Sequence, residues 1–198
     1  DRQEFDLRLQ PDTYQRVRQT GVRLLSRLTL RPGRYHIQVG AHETSAGATG
    51  TVAYDLEVPD YQRLPFGLSG LVLASSSGDA LVTANPDPLL KETLGGSPAA
   101  TRRFTTTETL TVYAEAYDTS RQAHAIAFGT TVHNAMDGRK VFESTDRREA
   151  GVADRVNGFR TSVPLKGLSP GLYVLGVEAT STLGGSARRD ILFEVSGS

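Results

Sequence analysis

Apolar and polar residues alternate along much of this chain with the period of two that marks a strand buried on one face. Tyr35, Ile37, Val39 and Ala41 interleave with Arg34, His36, Gln38 and His42. Val52, Tyr54, Leu56 and Val58 interleave with Thr51, Ala53, Asp55 and Glu57, and Leu110, Val112, Ala114 and Ala116 with Thr111, Tyr113, Glu115 and Tyr117. Helical spacing is confined to 12–20 and 87–93, each good for a turn or two, and neither carries a wide apolar stripe. Turn signals such as Pro32-Gly33, Asp137-Gly138, Pro170-Gly171 and Gly184-Gly185 cut the strands at short intervals. The pattern predicts an all-β fold of antiparallel sandwich units.

An internal repeat divides the chain. Leu28 to Ala41 is echoed at a constant offset by Lys166 to Ala179, with Gly33 matching Gly171 and Tyr35 matching Tyr173. With one residue deleted, Leu56-Glu57-Val58 matches Phe193-Glu194-Val195. Two units in tandem follow, resembling immunoglobulin-like or fibronectin-like sandwiches. Residues 1–62 offer about four strands (4–9, 22–30, 33–43, 50–58) and read as a partial sandwich. Residues 63–198 offer about seven (68–74, 110–118, 124–133, 139–143, 159–165, 171–180, 187–195), with a long exposed connection over 75–109. The abrupt opening into a strand at Glu4 predicts a fragment of a longer protein, whose incomplete first unit leans on the second or on another chain.

Each repeat carries Leu-x-Pro-Gly-x-Tyr, in which Pro fixes φ, Gly permits a sharp turn, and the tyrosine packs inward with its hydroxyl free to bond backbone. Tyr35 and Tyr173 therefore resemble the structural tyrosine corner of immunoglobulin-like sandwiches.

Gly33 to Val39, Gly50-Thr51-Val52, Leu56 to Asp60 and Leu68 to Leu73 together resemble the C-terminal tail region of exported acidobacterial proteins related to von Willebrand factor A. The resemblance covers residues 20–75 and implies a bacterial module that is secreted, periplasmic or at the cell surface. No metal-binding Asp-x-Ser-x-Ser pattern occurs, so the A-type domain itself is absent and no adhesion metal carries over. That family implies no catalytic residues.

Composition narrows the chemistry. The 198 residues are 38% apolar and 22% charged with a formal net charge of zero, so no overall basic footprint argues for nucleic acid. No stretch approaches the roughly 18 apolar residues of a membrane span. Cysteine is absent, which excludes disulfides, thiol catalysis and thiolate-bound zinc. His36 and His42 share a solvated strand face but stand too far apart to share a metal, while His124 and His133 fall on opposite faces, all four as surface or edge residues. Ser69 lies in a strand pattern without the strand-to-helix context of a nucleophile elbow. Asp118, Asp137, Glu143 and Asp146 form no paired acid/base spacing, and Asp79, Asp87 and Asp137 fit no calcium loop. The basic pairs Arg102-Arg103, Arg147-Arg148 and Arg188-Arg189 are balanced by acids.

Tyr113 and Tyr117 are the best candidates for a contact patch, as an exposed aromatic pair on one strand face. The expectation is a non-catalytic interaction or spacer module without cofactor or metal. It takes a protein partner and can self-associate through sheet edges; a ligand- or carbohydrate-binding module is the alternative.

Overall fold

A computed structural model describes residues 4, 6, 8–44, 47–76, 78 and 81–197. Strands dominate, and the core lies wholly within residues 63–198, between two packed sheets. One is five-stranded, in the order β10 (Lys140–Ala150), β9 (His124–Asn134), β12 (Gly171–Ser181), β13 (Ser186–Ser196), β7 (Arg103–Thr105). The smaller sheet has β8 (Thr109–Asp118) at its centre, β11 (Val156–Pro164) on one side, and both β4 (Phe66–Leu68) and β5 (Val72–Ser75) on the other. The Phe128 and Phe159 rings, from β9 and β11, stack across the sandwich with centroids 4.6 Å apart. Pairing is antiparallel except for two short parallel ladders, β13 with β7 and β1 (Val22–Leu24) with β6 (Val82–Ala84). The expected all-β sandwich is therefore the observed architecture.

The expected strand 68–74 is two strands. Ser69 interrupts it, because the Glu115 amide donates to Ser69 Oγ (2.9 Å) while the Ser69 amide donates to the Glu115 carbonyl (2.8 Å). The connection over 75–109 is less bare than its Ser/Gly/Pro content suggests. It holds β6, α2 (Pro88–Leu94) and β7, and it buries Leu94 and Phe104. Asp87 caps α2 by accepting from the Leu90 amide (3.0 Å), and Gly95 closes it in the left-handed conformation at φ +70°.

Residues 1–62 depart furthest from expectation. Residues 4, 6, 8 and 9 form no strand, and residues 5 and 7 of that expected strand lie outside the described residues. The segment 11–20 is the helix α1 (Pro11–Thr20), which buries no residue. Of the expected strand 22–30 only β1 is regular, held against β6 with Arg23 buried beneath the ladder. The remainder is β2 (Gly33–Glu43) and β3 (Ala48–Val58), a two-stranded antiparallel sheet pairing Tyr35 with Leu56, Ile37 with Tyr54 and Val39 with Val52. Among its described residues this stretch holds a helix, a short strand and a hairpin in place of the four strands expected of a partial sandwich.

Both corner tyrosines make the same bond. Tyr173 donates its hydroxyl to the Ser169 carbonyl (2.7 Å), and Tyr35 donates to the Arg31 carbonyl (2.8 Å), each four residues upstream. Tyr173 is buried in the core, whereas Tyr35 is half-buried, because no second sheet covers it.

Candidate functional site

Strand parity on β8 sends Leu110, Val112, Ala114, Ala116 and Asp118 into the core and Tyr113, Glu115 and Tyr117 to the outer face. The two expected contact residues thus lie together, with a carboxylate between them that sequence reasoning passed over. Tyr113 donates to Glu115 Oε1 (2.8 Å) and Tyr117 to Oε2 (2.6 Å), so one carboxylate fixes both rings. Burial first, and then the bond to Glu115, push the Tyr113 phenol up from 10.0 to about 12. The same causes push Tyr117 higher still. Tyr113 lies over Gly158 of β11, where a β-carbon would come within 3.1 Å of its hydroxyl.

A third ring completes the surface. Tyr61, in the turn after β3, stacks on Tyr117 with centroids 4.2 Å apart and planes 19° from parallel. It stands above Gly67, the register partner of Tyr117 on β4, where a β-carbon would lie in ordinary contact with the Tyr61 ring at 3.4 Å. Tyr61 and Tyr117, but not Tyr113, border a cleft of about 590 Å³ between the base of the β2–β3 hairpin and the outer face of the smaller sheet. Leu30, Pro32 and Val58 line it from the hairpin side, and Asp60, Arg63, Thr119 and Arg155 bring polar groups to it. Arg63 pairs with Asp60 (3.3 Å). Sequence parity could not find Tyr61, which sits in a turn.

The other sequence candidates are scattered. Glu143 pairs with Lys140 (2.6 Å), Asp146 with Arg148 (2.8 Å), and Asp137 accepts from the Arg139 amide (2.9 Å), on β10 and its turn, where Asp146 is half-buried and the others exposed. Arg103 pairs with Glu194 (2.8 Å), Arg147 with Glu149 (3.3 Å) and Arg188 with Asp190 (2.8 Å). His36 meets Asp55 (2.6 Å), His42 meets Thr49 (2.9 Å) and His133 meets the Gly138 carbonyl (3.1 Å) at the surface, as expected. Asp79 lies outside the described residues. Among the described residues no group of three His, Asp or Glu side chains could hold a metal ion.

His124 corrects the expectation of surface placement, and Asp118 lies buried beside it. Their side chains are 2% and 5% exposed, with Nε2 and Oδ2 2.9 Å apart, at the point where the chain passes from β8 to β9 and so from one sheet to the other. His124 Nδ1 faces the Gln122 carbonyl (2.8 Å), and Asp118 Oδ1 accepts from the Ser120 amide (2.6 Å). The signal was available: Asp118 continues the inward parity of β8, and His124 shares that of Ile126 and Phe128 on β9.

No protein-family model matches this chain, and no curated protein matches it. Its fold can be laid over that of the C-terminal domain of Wzt at 12% identity and a TM-score of 0.48, covering 85% of this chain and 83% of that one. A β-glucosidase from Erythrobacter marinus aligns at 8% identity and a TM-score of 0.41, and a family 123 glycoside hydrolase from Clostridium perfringens at 11% and 0.40. Each of these covers 66% of this chain, which spans only 15% and 28% of the two enzymes. At these values the likeness carries no argument about site or activity.

Proposed function

We propose that this chain is a non-catalytic interaction module of a larger exported bacterial protein, and that the β2–β3 hairpin is its docking face. The observation that carries this reading is the bare apolar side of that hairpin. Val39, Val52 and Tyr54 are 56%, 69% and 67% exposed, although the residues at matching register in β12–β13 include the fully buried Val177. A two-stranded sheet is marginal by itself in water, so covering this face gains stability for the hairpin. In the repeat the cover is a second sheet, and a protein presenting an apolar sheet face supplies the same kind of cover here. A second copy of this chain carries such a face in its own hairpin, and among the described residues neither hairpin edge pairs with a further strand, which leaves room to extend the pairing.

The non-catalytic part of the reading is supported by the state of the carboxylates at the cleft. Glu115 accepts from two phenols, Asp118 meets His124, and Asp60 pairs with Arg63. None is left as an unengaged acid or base.

Sedimentation velocity between about 1 and 200 µM, the range of weak protein association, tests the docking face. A dimer is expected at the upper end, with slowed hydrogen exchange along 34–42 and 49–57, and Val52→Lys is expected to abolish both. A monomer across the whole range, with exchange along the hairpin unchanged by dilution or by Val52→Lys, overturns self-docking through this face.

A further inference from the structure

The cleft beside the smaller sheet supports a second inference, separate from the hairpin face. The geometry points to a binding site for a segment of neutral polysaccharide, with the Tyr61–Tyr117 stack as its wall. Three observations combine. The cleft, about 590 Å³, lies in the range of small-ligand sites and is large enough to admit a sugar unit. Its wall is two stacked rings, and the C–H face of a pyranose is an apolar surface that packs on aromatic carbon. Around that wall stand a carboxylate (Asp60), two guanidiniums (Arg63 and Arg155) and a hydroxyl (Thr119), donors and acceptors of the kind that vicinal hydroxyls engage.

Charge decides between ligand classes. Arg63 is already paired with Asp60. The charged residues lining the cleft, Asp60 and Asp118 against Arg63 and Arg155, sum to no net formal charge, so the site is not an anion trap. An uncharged, hydroxyl-rich chain suits this balance better than a phosphate or an acidic chain.

The wall is also set before any ligand arrives. Glu115 holds the Tyr117 hydroxyl at 2.6 Å, and Tyr61 braces the ring face while donating its own hydroxyl to the Leu68 carbonyl (3.4 Å). Binding therefore costs little side-chain entropy at the wall.

Affinity electrophoresis of the whole chain through gels containing dextran, xylan, mannan or mixed-linkage β-glucan tests the proposal, with alginate as the anionic control. Retardation by at least one neutral polysaccharide is expected, weakened about tenfold or more in Tyr117→Ala and Tyr61→Ala through loss of one aromatic contact. Tyr61 lies in a turn outside the core, so its variant keeps the test valid if Tyr117→Ala fails to fold. Val52→Lys is expected to leave retardation unchanged, which separates this site from the hairpin face. Retardation by alginate alone, retardation insensitive to Tyr61→Ala, or no retardation by any of the neutral gels overturns the assignment.

Discussion

The β2–β3 and β12–β13 hairpins are two outcomes of one sequence motif. Gly33 pairs with Val58 as Gly171 pairs with Val195, Tyr35 with Leu56 as Tyr173 with Phe193, and Ile37 with Tyr54 as Leu175 with Ile191. Both tyrosines bond the carbonyl four residues back. The backbone ladder and the corner thus form wherever the motif is written. Burial does not follow from the motif. Tyr173, Leu175, Val177 and Phe193 face Leu110, Val112, Phe159 and other core residues of the opposing sheet, whereas the matching hairpin residues face no sheet. Local chemistry sets the register; a second layer sets the energy.

The largest expected effect follows from this difference. Tyr173→Ala removes a ring packed on Phe193 (centroids 5.8 Å) within a closed core, and a loss of about 3–5 kcal/mol is expected from the cavity alone. Tyr35→Ala, at the same place in the motif, is expected to cost about 1 kcal/mol or less, the scale of a surface change. Chemical denaturation with urea reads both. Equal losses in the two variants would break the comparison, because they would mean that the hairpin is as deeply packed as its counterpart.

The turn regions supply a contrast of opposite sign. A β-carbon on Gly185, beside the β12–β13 turn, would come within 2.6 Å of Phe66 Cβ, an atom too close to its own backbone to swing away. Gly185→Ala is expected to destabilise by about 1–3 kcal/mol. Gly50 of β3 has nothing within 4 Å, and its place in the repeat is filled by Ala187. Gly50→Ala is expected to be neutral or to stabilise by about 0.5 kcal/mol, through the conformational freedom that alanine removes from the unfolded chain. Melting curves of the two single variants, and their sign, give the answer.

How legible this was in the sequence differs from element to element. Alternation located β2, β3, β8, β9, β12 and β13 closely, because each has one wet and one apolar face or is long enough to show its period. It placed Tyr113 and Tyr117 side by side for the same reason. β10 runs to Ala150 although Asp146, Arg147, Arg148 and Glu149 carry no apolar period; this part of an edge strand lies largely in water and needs none. β7 contributes Phe104 to the core from only three residues, too few to show any pattern. Tyr61 reaches the cleft from a turn, and turn residues have no parity to read. Nor can a motif announce whether a facing sheet exists, since cover is supplied by residues far away in the chain. For that reason the hairpin within 1–62 is exposed where its counterpart β12–β13 is buried.

Removing only the corner hydroxyl gives a finer separation. Tyr173→Phe keeps the ring and deletes the 2.7 Å bond to Ser169, so about 1 kcal/mol is expected to be lost. Tyr35→Phe deletes the equivalent 2.8 Å bond where water can replace it, and a loss below about 0.5 kcal/mol is expected. The two Phe variants measured in one urea series isolate the hydroxyl from the ring. A larger loss at Tyr35 would show that the hairpin depends on its corner bond more than the sandwich does.

The smallest effect concerns a tyrosine held by a carboxylate instead of a carbonyl. Tyr113 in the folded chain loses its proton near pH 12, while the unfolded phenol loses it near 10.0. Between those values the unfolded state binds fewer protons than the folded one, so stability is fully present below pH 10 and declines as pH rises toward 12. Tyr113 is only half-buried, so solvent screens part of the interaction and the decline is shallow. Tyrosinate absorbance followed through an alkaline titration is expected to show late-ionising phenols that move to lower pH in Glu115→Gln, since burial persists but the anionic acceptor is gone. If the titration of Glu115→Gln superimposes on that of the unaltered chain, the carboxylate does not hold the rings, and the rigid wall assigned to Tyr117 loses its anchor.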